Sequence, residues 1–312
     1  LKPIKGMFAK AQTIDVAFLA MHGTGGEDGS LQGMMEMLDL PYTSSNVLGS
    51  AVGQDKVIMK EILEYEHVPM VPWFFVYSND ITNTYKDIEA KAETIGYPLI
   101  VKPANLGSSI GIEIVHKKDE LKSALSECAK YDDKLVIEKM VKQLKEVNIS
   151  VMGNSKDAKV SAIEEVLKGD EFLSFSNKYL GGGKGTKGSK PTKVAPTKGS
   201  KGMASASRIV PARLDGNQQK EIEEYALKSF KALNASGAVR IDFMIDKEDG
   251  SVYVNEINSI PGSLAFYLWK EVGVDFREEC DLLINNALNV YREKKKKVRS
   301  FDTNILSNYK EN

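Results

Sequence analysis

The sequence predicts a mixed α/β and α+β protein built from more than one unit, and three observations carry that prediction. A stretch over 14–21, apolar except for Asp15, runs into the turn His22-Gly23-Thr24-Gly25-Gly26-Glu27-Asp28-Gly29 and then a short helix with Leu31, Met34, Met35 and Leu38 on one side. Strand, glycine-rich turn and helix in that order belong to an α/β unit with a parallel sheet. Residues 146–153 alternate, with Val147, Ile149 and Val151 on one face and Asn148 and Ser150 on the other, the period of a half-buried strand. Two later stripes have helical spacing: Ile222, Tyr225, Ala226, Phe230 and Leu233, then Phe276, Cys280, Leu283, Ile284, Ala287, Leu288 and Tyr291.

The remaining elements fall between these. Helical periodicity covers 56–65, strands are expected at 73–77, 98–103, 112–115 and 135–140, and a helix at 120–130. Further strands are expected at 157–167, 238–245 and 252–258. This division predicts a partial N-terminal α/β domain at 1–50, a small α+β unit at 51–140, a larger unit at 141–292 and a basic, polar tail at 293–312. Lys294 to Lys297 at the end of the last helix suit a helix C-terminus in solvent better than a nucleic-acid contact.

Composition narrows the function classes. With 42 basic and 43 acidic residues the net charge is −1, so no overall field draws the chain to nucleic acid or membrane. No apolar run approaches the ~20 residues that span a bilayer, and the first residues lack the apolar core of a signal peptide. Cys128 and Cys280 match no metal spacing and are expected as free thiols in a reducing cytoplasm. The three histidines, His22, His67 and His116, are scattered, which argues against a zinc site.

Residues 181–202 are almost entirely Gly, Lys, Ser, Thr and Pro, a composition unable to bury apolar surface. No Walker A spacing occurs in it. Its place inside a unit, just after Lys178-Tyr179, favours an active-site lid over a plain linker.

The strongest local constellation is Arg240-Ile241-Asp242 with Asn255-Glu256-Ile257-Asn258 downstream. Arg240 and Asp242 are two apart and share a strand face, as do Glu256 and Asn258, and a hairpin through 247–250 would join the two strands. Asp242, Glu256 and Asn258 then form a set of hard oxygen ligands suited to magnesium. A solvent-facing strand pair with ordinary charges has the same spacings.

The segment Asn255-Glu256-Ile257-Asn258-Ser259-Ile260-Pro261-Gly262 resembles a signature of the D-alanine–D-alanine ligases. The turn from His22 to Gly29 is similar to their His-Gly-x-x-Gly-Glu-Asp-Gly. Asp55-Lys56, Val101-Lys102-Pro103, Gly107-Ser108-Ser109-Ile110-Gly111, Ile137-Glu138-Lys139, Lys178-Tyr179 and Arg240-x-Asp242 follow in the family's order. Each is weak alone; eight in register over about residues 15–290 are specific.

The resemblance implies an ATP-grasp fold behind a truncated parallel N-terminal domain, with ATP and Mg2+ (or Mn2+) as cofactors and D-alanine or a similar small amino acid as substrate. It implies a cytoplasmic homodimer. Lys56 and Lys102 would hold phosphates, Ser108 and Ser109 would cap them, Glu138 and Lys139 would meet the adenine and Glu146 the ribose. Lys178 and Tyr179 would close with the lid. His22 would stand near the donor substrate, Arg240 would stabilise the oxyanion, and Gly262 and Ser263 would contact the acceptor. The metal would sit on Asp242, Glu256 and Asn258.

Two departures from the family pattern matter. The strand and glutamate that bind the donor's amino group are not found before His22, so the sequence predicts a chain that holds magnesium–ATP but ligates D-alanine poorly. After Gly262, Ser263-Leu264-Ala265-Phe266-Tyr267-Leu268-Trp269 is shorter and more aromatic than the family's segment. A ligase with another acceptor (D-serine, D-lactate or another amino acid) and a nucleotide-binding remnant are the alternatives. Intact Lys102, Arg240, Asp242, Glu256 and Asn258 argue against the remnant.

If 181–202 is a lid, trypsin should cut it at lysines 184, 187, 193, 198 and 201 in the free protein, Lys190 being shielded by Pro191. ATP with a donor amino acid should slow that cleavage; equal rates with and without ligands would make the segment a linker.

Overall fold

The computed structural model describes residues 12–107, 109–167 and 207–298. The expected lid and the basic tail beyond 298 lie outside them. Sheets of two, four and five strands carry the described fold.

Strands β1 (Ala17–Phe18) and β2 (Tyr42–Thr43) pair in parallel around α1 (Ser30–Met37). The strand expected over 14–21 keeps two paired residues because β2 offers only two partners. Helix α1 also turns a different face inward. Gln32 and Met35 are buried, whereas Met34 and Leu38 of the expected stripe are exposed. Gln32 Nε2 donates to the Gly26 carbonyl at 2.8 Å, fastening the helix to the glycine turn.

Helix α2 (Val47–Gln54) was not legible in the sequence, since Gly49, Ser50 and Gly53 are poor helix formers. The close approach explains Gly49: a Cβ there would stand 2.5 Å from the Asn234 carbonyl oxygen. Helix α3 (Lys56–Tyr65) begins on Asp55, whose carboxylate accepts from the N–H groups of Val57 and Ile58, a cap worth about 1 kcal/mol.

Then follow β3 (Trp73–Tyr77), α4 (Ile81–Ile95), β4 (Leu99–Pro103), β5 (Glu113–Val115), α5 (Leu121–Cys128) and β6 (Lys134–Lys139). The strands form an antiparallel sheet in the order β3-β6-β4-β5. Alternation sends Leu99, Val101, Leu135 and Ile137 into a core with Ile88 and Ala92 of α4 and Leu121 and Leu125 of α5. Lys102, Val136 and Glu138 therefore face the other side, where Val136 meets Val57 and Ala104. Helix α4 escaped the sequence reading because its buried stripe is only Ile81, Ile88 and Ala92.

The five-stranded sheet contains β7 (Leu144–Gly153), β8 (Ala158–Leu167), β9 (Ser207–Ile209), β10 (Gly237–Asp246) and β11 (Val252–Asn258), antiparallel in the order β11-β10-β7-β8-β9. Helix α6 (Gly216–Ala232) covers one face, packing Ile222, Ala226 and Phe230 on Val147, Ile149, Ile241 and Phe243. Met59 and Leu63 of α3 enter this same core, so α3 serves both large sheets rather than the small unit alone. Helix α7 (Phe266–Lys270) lies over the opposite face, where Trp269 Nε1 donates to Ser150 Oγ at 3.0 Å.

Helix α8 (Phe276–Lys295) buries Glu279, Leu283 and Ala287. Phe276, expected on that stripe, is exposed, and a glutamate takes the inward position one turn on. Among the described residues neither Glu279 carboxyl oxygen has a hydrogen-bond partner, and burial pushes the acid up to about 8. The folded state then keeps its proton while the unfolded chain releases it from about pH 4.5 upward, so stability falls as pH rises through that window. Glu279→Gln should raise stability clearly at pH 8.5 and little at pH 4.5, read from thermal melts at both. Parallel pH profiles for the two proteins would contradict this.

Candidate active site

Strands β10 and β11 build the anionic side of the site. Their register sets Arg240 opposite Asn258 and Asp242 opposite Glu256. Ile241 and Phe243 point into the core behind them. Just beyond Asp242 the register slips, so that Phe243 pairs with Val254 and Asn255 is the extra residue of a β-bulge. Bulges re-aim side chains. This one lets Asn255 reach Lys102 of β4 and Glu256 reach Lys56 of α3 while Val254 and Ile257 stay in the core.

Arg240 donates from Nε and Nη2 to Asp242 Oδ1 and Oδ2 at 2.6 and 2.7 Å. That bidentate clamp fixes the guanidinium plane. Asn258 Nδ2 donates to Asp242 Oδ2 at 3.2 Å. Burial pushes the Asp242 acid up to about 6 despite Arg240, and the neighbouring Glu256 and Glu146 carboxylates add to the effect. Burial opposes charge on Arg240 too, but Asp242 outweighs it and holds the guanidinium above its ordinary range. For Glu256, burial is outweighed by Lys56, Lys102 and Arg240, which keep the carboxyl below its usual range.

The cationic side comes from α3 and β4. Lys56 Nζ donates to the Leu106 carbonyl at 2.6 Å and stands 3.6 Å from Glu256. Lys102 Nζ lies 2.6 Å from Glu138 and 3.3 Å from Asn255 Oδ1. Lys60, one helical turn after Lys56, is fully buried 3.0 Å from the second Glu138 oxygen. Its i+4 spacing from Lys56 places both lysines on one face of the helix.

The two residues expected at the nucleotide base make these side-chain contacts. Glu138 is buried within ion pairs to Lys60 and Lys102, so its carboxylate is committed there rather than to an adenine. Lys139, the next strand residue, faces the opposite side and donates to the Gly96 and Tyr97 carbonyls at 2.7 and 3.2 Å. Neighbouring strand residues point apart, so these side chains do not converge on one ligand. Glu146 lies half-buried on the Asn148–Asp242 face.

The glycine turn meets the loop after β11. His22 is exposed, and its Nδ1 lies 2.8 Å from the Ile260 carbonyl. A carbonyl only accepts, so Nδ1 is the donating nitrogen of this contact and Nε2 points away from it. Glu27 joins the two loops, accepting from Gly23 N at 2.6 Å and Ile260 N at 3.0 Å. The sequence reading treated Glu27 only as part of a motif. Beyond Pro261, Ser263, Leu264 and Ala265 are all left-handed, with φ of 52°, 56° and 59°, each costing roughly 1–2 kcal/mol. Buried Leu264 and Ala265 side chains hold the turn, leaving Gly262 and Ser263 exposed beside the site. Ser109 is exposed in another left-handed turn. Ser108, Lys178 and Tyr179 lie outside the described residues.

A second network went unread in the sequence. Buried Glu164 accepts from Asn148 Nδ2, Tyr267 Oη and Arg208 Nη1 at 3.0, 2.8 and 3.1 Å. The Arg208 guanidinium lies 4.4 Å from the Tyr267 ring centroid. Glu164 continues the polar row of Glu256, Asp242 and Asn148 across the sheet.

Among the described residues no cluster of three or more His, Cys, Asp or Glu could hold a metal. Asp242 and Glu256 are a pair of carboxylates in register, and Asn258 turns its amide nitrogen to Asp242, which leaves its oxygen as a ligand. Two carboxylates and an amide oxygen fit Mg2+, which completes its shell with phosphate oxygens and water.

A family model described as D-ala D-ala ligase C-terminus matches residues 62–202 and 195–285, and its N-terminal counterpart matches 4–45. A D-alanine–D-alanine ligase of Thermosipho africanus is 39% identical over 301 residues, covering 95% of this chain and 74% of that protein. The chain belongs to the D-alanine–D-alanine ligase family. The fold agrees with solved ligases of this kind. The enzyme of Bacillus anthracis complexed with ATP aligns with a TM-score of 0.69 at 29% identity, covering 90% of this chain and 81% of that one. A D-Ala:D-Ser ligase of Enterococcus faecalis gives 0.72 at 26% identity, covering 89% and 74%. The expected ATP-grasp fold and ligase family are thus shown.

Glu256→Gln keeps the shape of this family member's site and removes one charge from the proposed metal position. Turnover with ATP should fall at least about a hundredfold with an unchanged circular dichroism spectrum. Parental rates at limiting magnesium would sink the metal assignment.

Proposed function

We propose that the chain joins two D-alanines into D-alanyl-D-alanine at the expense of ATP, supplying a peptidoglycan precursor in the cytoplasm. The observation that carries this reading is the meeting of Lys56 of α3 and Lys102 of β4 with Glu256 and Asn255 of β11, in a chain of this family. That cleft combines cations for phosphates with oxygen ligands for a metal. No helix among the described residues is long and apolar enough to cross a membrane.

Each group then has a role. Lys56 and Lys102 bind phosphate oxygens as point charges, and Ser108 and Ser109 cap them. Bound at Asp242, Glu256 and Asn258, Mg2+ would supply charge neutralisation on the transferring phosphoryl group. A donor carboxylate oxygen attacks the γ-phosphorus and ADP leaves, giving an acyl phosphate. The acceptor amine attacks the acyl carbon and phosphate departs with the carbon–oxygen bond. Arg240, held flat by Asp242, stabilises the oxyanion formed in that attack. His22 faces the donor through Nε2, and Gly262 and Ser263 face the acceptor. Lys178 and Tyr179 would close over the reacting groups.

The test offers ATP, Mg2+ and D-alanine, with D-serine and D-lactate as competing acceptors. Equimolar ADP, phosphate and D-alanyl-D-alanine are expected, with D-alanine preferred. Release of AMP and pyrophosphate would contradict the mechanism, and preference for another acceptor would correct the substrate.

A further inference from the structure

Lys60 contributes to neither the metal ligands nor the lysines expected at the phosphates, yet it is the most deeply placed cation in the cleft. Its side chain is wholly buried, its Nζ lies 5.7 Å from the Trp73 ring centroid, and Glu138 is the one anion paired with it among the described residues. A buried ammonium carries a desolvation cost of several kcal/mol, so its retention needs a reason beyond packing.

The geometry supplies one. Glu138 is a single carboxylate with two ammonium partners: Oε2 faces Lys60 at 3.0 Å and Oε1 faces Lys102 at 2.6 Å. We infer that Lys60 is a positioning residue for nucleotide binding, the counter-charge that neutralises Glu138 so that Lys102 is held in place without being neutralised itself. With Lys60 present, Lys60, Glu138 and Lys102 sum to one positive charge, and that charge rests on Lys102 at the cleft. Without Lys60 the three become a neutral pair. Lys102 is then drawn onto Glu138, and the carboxylate's field opposes an incoming phosphate. In a low-dielectric site such a change is felt far more strongly than in water. In the parent protein Glu138 is ionised: burial favours its acid form, but Lys102 and Lys60 outweigh it and bring the carboxyl down to about 2.

This inference rests on the reading of Lys102 as a phosphate ligand, and the test separates the two. Affinity for ATP with Mg2+ is measured by calorimetry on Lys60→Met, Glu138→Gln, the double variant and Lys102→Met, each with a thermal melt. Lys60→Met should weaken ATP about tenfold or more, because it uncovers the carboxylate. Adding Glu138→Gln removes the uncovered charge, so the double variant should bind ATP within about threefold of the parent and more tightly than Lys60→Met. Should Lys60→Met not fold, the comparison of Glu138→Gln with the double variant decides. Equal ATP affinity there supports the inference, since Lys60 has no task once Glu138 is neutral. A double variant weaker than both single variants, or parental affinity in Lys60→Met, would overturn it and leave Lys60 a packing residue. Parental affinity in Lys102→Met would instead remove Lys102 from the nucleotide site.

Discussion

Helix α3 lies between the two larger sheets, and its double anchorage is the constraint on which the cleft depends. Met59 and Leu63 are embedded in the core of the five-stranded sheet, while Val57 packs on Val136 and Ala104 behind the four-stranded one. The same helix carries Lys56 and Lys60, so packing on two sides fixes how far these cations stand from Glu256 and Glu138. Burial of apolar area, at roughly 25 cal/mol per Å², thus sets an electrostatic distance.

Charge in the cleft is arranged rather than merely accumulated. Each carboxylate has a cation assigned to it: Asp242 to Arg240, Glu138 to Lys60 and Lys102, Glu256 to Lys56. The arrangement resists collapse because each partner is carried by a well-packed strand or helix. Groups fixed before the substrate arrives need no reorganisation when charge develops on it, which is how a set of ordinary side chains becomes suited to phosphoryl transfer.

Much of this was legible in the sequence. The alternation of 238–245 and 252–258 placed Arg240 and Asp242 on one face and Glu256 and Asn258 on the facing one, as their register shows. The stripe of α6 and the span of α3 were visible for the same reason, since one clear period rules each. What escaped needed three dimensions. Period two alone would send Asn255 inward, and only a slip in pairing beyond Asp242 turns it to Lys102. Glu138 resembled a base-binding residue until Lys60, 78 positions earlier, proved to be its partner. Helix α2 is held by the fit of Gly49 against Asn234, a reason no propensity scale contains.

The central claim is that this cleft transfers a phosphoryl group to a carboxylate before any carbon–nitrogen bond forms. D-alanine labelled with oxygen-18 in its carboxylate tests it most directly, with the released phosphate analysed by mass spectrometry. An acyl phosphate leaves one carboxylate oxygen on the phosphate at every turnover, so one oxygen-18 per phosphate is predicted. Unlabelled phosphate alongside dipeptide formation, or label appearing in AMP, would contradict the account.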